Sequence, residues 1–516
     1  MLRRTITENG PVQGMAASDP RITEYRGIPF AAPPVGELRW RAPQPASNWE
    51  GVRVCNTYGP PSMQELPGDK PGFYTREFYT QPEAEMSEDC LYLNVWTPAN
   101  EAGEKLPVMV WIFGGGMNVG YTSEMEFNGE RLARRKVVVV SVNYRLNSFG
   151  FLAHPELTEE GARFGESGTN FGLLDQNAGI RWVKRNIEHF GGDPENITVF
   201  GQSAGGRCVW MHIASPENKG LFQRAIVQSG GLGGGITRYP DREKAEAAGV
   251  RFLEHLGVRS IAEARKMDAS ELRDKTVAFT GYRWGPVIDH KYLTMSPLSA
   301  IDTGAANPVD LLIGSTMRDP DGFRMGNDLE GFMARARRMY RERYPEFEKL
   351  VGIDSAEKLQ AYYETATFSI FERGNTFAAV RYAELGRKPV YMYRFNPSIP
   401  GDDAGAFHSS DLWFVFETLA NCWRPFQGKH YDLARRICNY WANFARCGDP
   451  NGPDNDGMMM PEWKPCSLEE WHTQYLCDEI WQDDQKPDPL MNFEITLLRE
   501  QAQKEAMSYE EDHRKG

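Results

Sequence analysis

This 516-residue chain contains no apolar run that approaches the roughly 20 residues needed to span a bilayer. Positive charge is also scarce, because 58 Lys and Arg against 71 Asp and Glu give a formal net charge of −13. Binding to nucleic acid or to an anionic membrane needs concentrated positive charge. We therefore expect neither a membrane span nor a nucleic-acid partner.

Cysteine patterning excludes a second class of site. The eight cysteines form no CxxC pair and no spaced Cys/His cluster, so the sequence predicts no metal site. Cysteines scattered through so long a chain are typical of reduced thiols that pack as small apolar residues. The N-terminus, MLRRTITENGPVQG, lacks the apolar core of a secretory signal. This predicts a cytoplasmic protein, or else a mature form from which a leader has been removed.

Strand-like and helix-like segments alternate in the first half of the chain. LPVMVWIF (106–113) and KVVVVSVNY (136–144) are short, β-branched and almost wholly apolar, as in strands covered on both faces. NAGIRWVKRNIEHF (177–190) has apolar residues at helical spacing, and a strand, ITVF (197–200), follows it. This alternation predicts an α/β fold whose central sheet is mostly parallel and flanked by helices.

The second half is more varied. Residues 240–380 are more charged and read as helical, PVYMYRF (389–395) restores the strand pattern, and residues 432–448 predict another helix. We find no internal repeat and no long linker. The sequence therefore predicts one elaborated domain over residues 1–516.

Ser203 lies in ITVFGQSAGG, where a predicted strand leads into a serine with glycine two residues before and two after it. A serine hydroxyl is a poor nucleophile until the fold presents it to a base. Small flanking residues let a strand turn sharply into a helix and leave the hydroxyl exposed at the edge of the sheet. The pattern indicates a nucleophilic serine, and its alternative is a tight turn that merely contains one.

A glycine run, Phe113-Gly114-Gly115-Gly116, follows the strand predicted at 106–113. Consecutive glycines can present several backbone N–H groups to a developing oxyanion, and the N–H of Ala204 would add another. A phosphate-binding loop is the rival interpretation. It is disfavoured because no Lys-Ser/Thr pair follows the glycines.

His408 stands out among the nine histidines because it lies in a polar loop, GAFHSSDLWFVFETL, after the strand at 389–395. In α/β-hydrolases the triad residues occur in the order serine, acid, histidine. The strand-like segment 310–323 ends in Asp319 and Asp321, between Ser203 and His408. Either carboxylate could orient the imidazole and stabilise the imidazolium, and the pattern alone does not choose between them.

These motifs occur in order with several longer ones, and together they resemble the type-B carboxylesterase family of carboxylesterases, cholinesterases and non-catalytic adhesion relatives. The likeness covers about residues 10–470. It rests on YRGIPFAAPPVGELRWRAPQP (25–45), SEDCLYLNVWTP (87–98), FGGGM (113–117), VSVNYRLNSFGFL (140–152), FGLLDQNAGIRWVKRNIEHFGGDPENITVFGQSAGG (171–206), AIVQSG (225–230), GPVIDH (285–290), HSSDLWFVF (408–416) and YWANFARCGDPN (440–451).

The resemblance implies an α/β-hydrolase fold with helical insertions that form a gorge or cap, and a serine esterase that needs no cofactor. It implies Ser203 as nucleophile and His408 as base, with an oxyanion hole formed by the amides of Gly115, Gly116 and Ala204. Family members that serve as adhesion proteins typically lose the nucleophile. Because this chain keeps Ser203, a non-catalytic scaffold is the disfavoured alternative.

The family acid lies five residues beyond the glycine that is Gly314 here, which is Asp319. The family usually has glutamate at this position, and aspartate is one methylene shorter, so Asp321 stays as the alternative acid. Ser229 matches a serine near the acid. The resemblance also implies two structural ion pairs, Arg39 with Glu88 and Arg145 with Asp175.

The substrate pocket is implied by position in the motifs. Its predicted lining residues are Met117, Tyr282, Trp284, Phe323 and Trp413. No tryptophan occurs between Trp49 and Trp96, where cholinesterases carry the cation-binding aromatic of their gorge, so a quaternary-ammonium ester is disfavoured. A lipase would want a long apolar lid, but residues 64–86 are polar and charged. The sequence thus predicts hydrolysis of a small-molecule carboxylic ester, and it leaves the oligomeric state open.

Overall fold

The computed structural model describes residues 1–65, 72–78, 85–233, 239–318, 326, 328–365 and 369–515, with side chains described up to Tyr509. The β-strands are β1 (Arg4–Thr7), β2 (Gly10–Gln13), β3 (Met15–Ala16), β4 (Thr23–Pro29), β5 (Arg53–Val54), β6 (Tyr92–Thr97), β7 (Leu106–Ile112), β8 (Val138–Val142), β9 (Gly192–Gln202), β10 (Arg224–Gln228), β11 (Asp310–Thr316), β12 (Tyr391–Phe395), β13 (Thr473–Leu476) and β14 (Trp481–Asp483).

The α-helices between and after these strands are α1 (Phe73–Phe78), α2 (Glu130–Ala133), α3 (Asn147–Phe151), α4 (Pro155–Phe164), α5 (Phe171–Asn186), α6 (Ala204–Ala214), α7 (Arg242–Leu256), α8 (Ile261–Ala264), α9 (Ala269–Ala278), α10 (Pro297–Thr303), α11 (Leu329–Tyr340), α12 (Tyr344–Val351), α13 (Ala356–Tyr363), α14 (Ile370–Glu384), α15 (Leu412–Val415), α16 (Gly428–Cys447) and α17 (Pro489–Lys515).

Eleven strands form the large sheet, in the order β14-β13-β12-β11-β10-β9-β7-β8-β6-β4-β3. From β13 to β8 every neighbouring pair is parallel, while the pairs at both edges are antiparallel. A smaller sheet has the order β1-β2-β5. The prediction of an α/β fold with a mostly parallel central sheet is confirmed.

Apolar, β-branched sequence explains the central strands. All five residues of β8 are buried, as are the last six of β7, because helices cover both faces of the sheet. The strands and helix predicted at 106–113, 136–144 and 177–190 are present with shifted ends. The helix starts earlier than predicted, at Phe171, and residues 187–190 form a 3₁₀ turn.

Helices lie on both faces of this sheet. On one face α6 packs so closely on β9 that a Cβ on Gly201 would lie 2.6 Å from the carbonyl carbon of Gly205. Gln228 of β10 pairs in register with Gln202, the residue after Gly201, and accepts a 3.1 Å hydrogen bond from Trp441 of α16. Successive strand residues point to opposite faces, so α6 and α16 lie on opposite sides of the sheet.

A helical insertion separates β11 from β12, within the region 240–380 that the sequence predicts as helical. Helices α11, α12 and α13 bury aromatic side chains against α17, and this apolar cluster is separate from the main core. A buried ion pair, Arg373 to Glu494 at 3.1 Å, links α14 to α17 beside it. The C-terminal helix therefore connects the insertion to the rest of the molecule.

Both ion pairs implied by the family resemblance are present. Arg39 donates two 2.6 Å hydrogen bonds to Glu88, and Arg145 donates two of 2.8 Å to Asp175. All eight cysteines carry free thiols. Among the described residues no helix has both the length and the apolar content needed to cross a membrane.

Candidate active site

Five neighbouring parallel strands end at the edge of the sheet that holds the described candidate site residues. In sheet order these are β7, β9, β10, β11 and β12. The glycine run follows β7, Ser203 follows β9 and Ser229 follows β10, while the loop that carries His408 follows β12. In open α/β sheets, ligands bind in the crevice outside the carboxyl ends of the strands.

Ser203 is the single residue between β9 and α6, and its backbone is strained, with φ 57° and ψ −123°. This conformation lets the chain reverse from strand to helix at one residue and present the hydroxyl. Glycine is needed nearby because a Cβ on Gly205 would lie 2.1 Å from the carbonyl oxygen of Ile112. The motif GQSAG therefore folds as the sharp turn that the sequence predicts.

His408 lies against Ser203. Its Nε2 is 2.8 Å from the serine Oγ, which is hydrogen-bonding distance. The imidazole stacks on the ring of Phe371 of α14, with centroids 5.6 Å apart and an interplanar angle of 17°. The arrangement can transfer the hydroxyl proton to the histidine when an electrophile binds.

The two candidate acids, Asp319 and Asp321, and the predicted pocket residue Phe323 lie outside the described residues. The structure does describe the chain up to Arg318. The Arg318 amide donates a 3.0 Å hydrogen bond to the Ala406 carbonyl, and Arg318 forms a parallel bridge with Phe407. The last described residue before the candidate acids is thus paired with the residue before His408.

Ser229 is buried where β10 ends, with a positive φ of 46°. Its amide donates a 2.8 Å hydrogen bond to the Gly314 carbonyl, and its Oγ accepts one from the Thr316 amide at 3.4 Å. Ser229 therefore ties β10 to the end of β11, the strand that precedes the candidate acids.

The glycine run lies next to the serine. A Cβ on Gly114 would be 3.1 Å from the Cβ of Ser203. Gly115 has φ +88°, and a Cβ there would lie 2.0 Å from the carbonyl oxygen of Val119, so only glycine fits. Within the described part of the chain, the amides of Gly115, Gly116 and Ala204 have no hydrogen-bond acceptor. They are available to a ligand oxygen.

A cavity of about 260 Å³ adjoins the glycine run. Three residues of the predicted pocket, Met117, Tyr282 and Trp284, line it together with Gly116. Met117 and Trp284 are buried and supply apolar walls, with the Tyr282 and Trp284 rings 5.3 Å apart. The cavity can hold an apolar part of a substrate.

Comparison with known proteins places the chain in a family. A model of the carboxylesterase family matches residues 3–480. The chain belongs to the carboxylesterase family. It is 36% identical to the para-nitrobenzyl esterase of Bacillus subtilis (strain 168), over 86% of this chain and 90% of that one. It is 31% identical to the acetylcholinesterase of Bungarus fasciatus, over 89% of this chain and 81% of that one.

Solved structures agree. The carboxylesterase EST55 of Geobacillus stearothermophilus superposes with a TM-score of 0.78 at 33% identity, over 95% of this chain and 99% of that one. A solved structure of PNB esterase also gives a TM-score of 0.78, at 31% identity and over 96% of this chain. This carboxylesterase is therefore a carboxylic ester hydrolase with the α/β-hydrolase fold.

The structure does not bring Trp413 to the cavity of this carboxylesterase. The indole is 0% exposed, stacks on Phe78 at 5.4 Å and donates a 3.2 Å hydrogen bond to Glu77. Glu77 in turn pairs with Arg424 at 2.9 Å. Trp413 is thus a packing residue beneath α1, because the helix that follows His408 turns it into the core.

Several neighbours of the site are absent from the sequence-based prediction. Phe371 stacks on His408, and Arg207, Tyr239 and Arg283 line the cavity with the predicted residues. Arg207 could have been found, since it lies four residues after Ser203 on the helix predicted there. Arg283 could also have been found, since it lies between the predicted pocket residues Tyr282 and Trp284. Phe371 and Tyr239 come from segments whose position relative to the serine is set by packing alone.

A buried acid pair follows the glycine run of this carboxylesterase. Glu124 and Glu126 are 6% and 1% exposed and hydrogen-bond to each other. Burial raises the pKa of Glu124 to about 7. Burial and the neighbouring Glu124 carboxyl raise the pKa of Glu126 well above its usual value. The pair therefore keeps a proton at neutral pH that the unfolded chain would release.

We expect this pair to make the folded state less stable as pH rises. The raised folded-state pKa values mean that its contribution is fully present below pH 4.5 and is lost as pH rises through about 7. Glu126→Gln removes the shared proton. The free energy of unfolding of this variant, relative to that of wild type, should therefore rise with pH, by up to about 1.4 kcal/mol per pH unit. Urea unfolding at pH 5 and pH 8 measures this. Glu254→Gln, at an exposed position, is the control. The same change in unfolding free energy between pH 5 and pH 8 in both variants would contradict the expectation.

Proposed function

We propose that this carboxylesterase hydrolyses small-molecule carboxylic esters through an acyl-enzyme on Ser203, with His408 as general base and Asp319 as the orienting acid. The observation that carries the proposal is the 2.8 Å contact between the serine Oγ and the His408 Nε2, on a strained turn beside the glycine run. No cofactor or metal takes part in the proposed reaction.

In the first half-reaction His408 Nε2 takes the proton of the Ser203 hydroxyl while Oγ forms a bond to the ester carbonyl carbon. The carbonyl oxygen becomes an oxyanion, to which the amides of Gly115, Gly116 and Ala204 donate hydrogen bonds. Because these donors are already oriented, stabilising the charge costs little reorganisation. The tetrahedral species then breaks its bond to the alkoxy oxygen, which takes the proton from His408 and leaves as the alcohol.

The second half-reaction repeats these steps with water. His408 takes a proton from water while the hydroxide oxygen attacks the acyl carbon, and the same amides stabilise the second oxyanion. Collapse breaks the bond to Ser203 Oγ, which recovers its proton from His408. The carboxylic acid leaves, and the enzyme returns to its starting state.

Asp319 is the preferred acid because Arg318, immediately before it, is paired with Phe407, immediately before His408. An acid there would accept a hydrogen bond from Nδ1–H, fix the tautomer that leaves Nε2 free for the serine, and stabilise the imidazolium. Ser229 supports the assignment by binding the backbone at Thr316, shortly before this residue. Asp321 is the alternative.

Labelling tests the proposal directly. Diethyl p-nitrophenyl phosphate should release one p-nitrophenol per active enzyme and leave a diethyl phosphate on the peptide that contains Ser203, because the hydrolysis of the phosphorylated serine is slow. Tandem mass spectrometry locates the adduct, and heat-unfolded enzyme is the control that should remain unlabelled. An adduct on another residue, or an unlabelled enzyme that also fails to hydrolyse p-nitrophenyl esters, would reject the proposal.

A further inference from the structure

Two arginines line the cavity that adjoins the glycine run. Arg207 is half-buried and Arg283 is exposed, and they share the cavity with the apolar Met117 and Trp284. An apolar pocket with few, well-placed polar groups is the usual form of a small-molecule site, and those groups determine which ligand is accepted. Both charged groups among the described lining residues are cationic.

Arg207 is close to the proposed nucleophile along the chain. It lies on α6 four residues after Ser203, and its amide donates a 2.9 Å hydrogen bond to the Ser203 carbonyl. Helical side chains tilt toward the N-terminus of their helix, and residues four apart share a face. The Arg207 side chain therefore tilts toward the end of α6 that begins after Ser203, and it lines the cavity together with Gly116.

The Arg207 guanidinium contacts an aromatic ring but, among the described residues, no carboxylate. Its Cζ lies 5.8 Å from the centre of the Tyr239 ring, a cation–π contact that fixes its direction. Its Nε is buried and has no hydrogen-bond partner among the described residues. Neither Arg207 nor Arg283 forms an ion pair within that part of the chain.

Fully buried arginines of this protein, by contrast, have carboxylate partners. Arg39, Arg145, Arg373 and Arg424 each pair with a carboxylate at 2.6 to 3.1 Å. Among the described residues, two acids interact electrostatically with tyrosines of the cavity lining, Asp241 with Tyr282 and Glu505 with Tyr239. Asp241 pairs with Lys244, and Glu505 accepts a hydrogen bond from Ser296. In a chain of net charge −13, two cavity arginines that have no carboxylate partner among the described residues point to a ligand that supplies the negative charge.

We propose that this carboxylesterase prefers esters that carry a negatively charged group, of which a carboxylate is the simplest, and that Arg207 and Arg283 bind that group. The inference rests on the proposed role of Ser203 in ester hydrolysis. The planar guanidinium can donate two parallel hydrogen bonds to a carboxylate. Beside apolar walls these bonds are stronger than in open water. The overall negative charge of the protein repels such a ligand only weakly, because salt screens charges that are more than about 8 Å apart.

Two matched ester pairs test the proposal and show which side of the ester carries the charge. For the alcohol side the pair is 4-acetoxybenzoate and 4-acetoxybenzamide. For the acyl side it is monoethyl terephthalate and ethyl 4-carbamoylbenzoate. Within each pair the two compounds differ by a carboxylate against a neutral amide. The ratio of their kcat/KM values, compared between wild type and variant, cancels their intrinsic reactivity.

We expect the charged-to-neutral ratio to fall roughly ten- to a hundred-fold in Arg207→Gln in at least one pair, as for the loss of hydrogen bonds to a charged group. Arg283→Gln should lower the same ratio less, because Arg283 is exposed. Arg207→Lys keeps the charge and should retain part of the preference. If Arg207 had a purely structural role, the Lys and Gln variants would give the same charged-to-neutral ratio. Arg251→Gln, an exposed arginine on α7, is the control for net charge and should leave the ratio unchanged.

Inhibition supplies a measurement that does not depend on turnover of these esters. Benzoate should inhibit p-nitrophenyl acetate hydrolysis competitively, with a KI roughly ten-fold or more higher in Arg207→Gln, and benzamide should show no such change. An unchanged ratio in both pairs together with an unchanged benzoate KI would overturn the inference, although Ser203 could still be the nucleophile. Absence of any ester hydrolysis by wild type would instead reject the proposed function itself.

Discussion

Ser203→Ala is expected to lower kcat for p-nitrophenyl esters by a factor on the order of 10⁶, the cost of removing the nucleophile from a serine–histidine pair. The 2.8 Å contact between Ser203 Oγ and His408 Nε2 is the geometry that alanine abolishes. Substrate binding should change little, because alanine also fits the turn and the glycine amides are untouched. Steady-state kinetics with acetate, butyrate and octanoate esters measures the loss.

An exposed serine provides the matched control for this experiment. Ser270→Ala, at the start of α9, removes the same hydroxyl without touching the site and should keep wild-type turnover. Circular dichroism and the urea midpoint show whether Ser203→Ala stays folded. Turnover in a folded Ser203→Ala protein within about ten-fold of wild type would reject Ser203 as the nucleophile.

Substitution of the orienting acid is expected to produce the second largest loss of kcat. Asp319→Asn should lower kcat by a factor on the order of 10⁴, because an asparagine in that position favours the wrong tautomer of the histidine. Asp321→Asn should leave kcat within about ten-fold of wild type. Asparagine is nearly isosteric with aspartate, so a large loss reports the charge and not the packing. The two variants are each other's control.

A large loss in Asp321→Asn alone would show that the shorter aspartate side chain shifts the acid by two residues relative to the usual glutamate. Asp319→Glu adds a further measurement. It restores the family's usual residue, so a variant with activity close to wild type would indicate that the loop accommodates either length. Retention of full activity in both asparagine variants would mean that neither residue orients His408.

Local pattern was enough to predict the sheet and the turn at Ser203. The strands at 106–113 and 136–144 are apolar because they are buried on both faces, so composition alone indicates their environment. The turn is equally local, since its glycines are required by contacts a few residues away, as at Gly205. Such features are predictable because sequence neighbours are also spatial neighbours.

Packing between distant segments was not predictable from the sequence. Phe371 is on α14, beyond the helical insertion, and no periodicity indicates that its ring stacks on His408. Trp413 is a second example. It lies five residues after His408, which made it a pocket candidate, but the chain buries it against Phe78. Which face of a short helix meets the core depends on the elements packed around it, and a single sequence does not contain that information directly.

The order of the strands has a consequence for the loop that carries the histidine. Strands β9 and β12 are separated by β10 and β11, so three inter-strand spacings, about 14 Å, lie between the strands that lead to the serine and to the histidine. Yet the two side chains are in contact. Residues 396–407 must therefore return across the ends of two strands before His408. Under the proposed mechanism, shortening this loop would withdraw the imidazole from Ser203 and abolish ester hydrolysis while leaving the sheet intact.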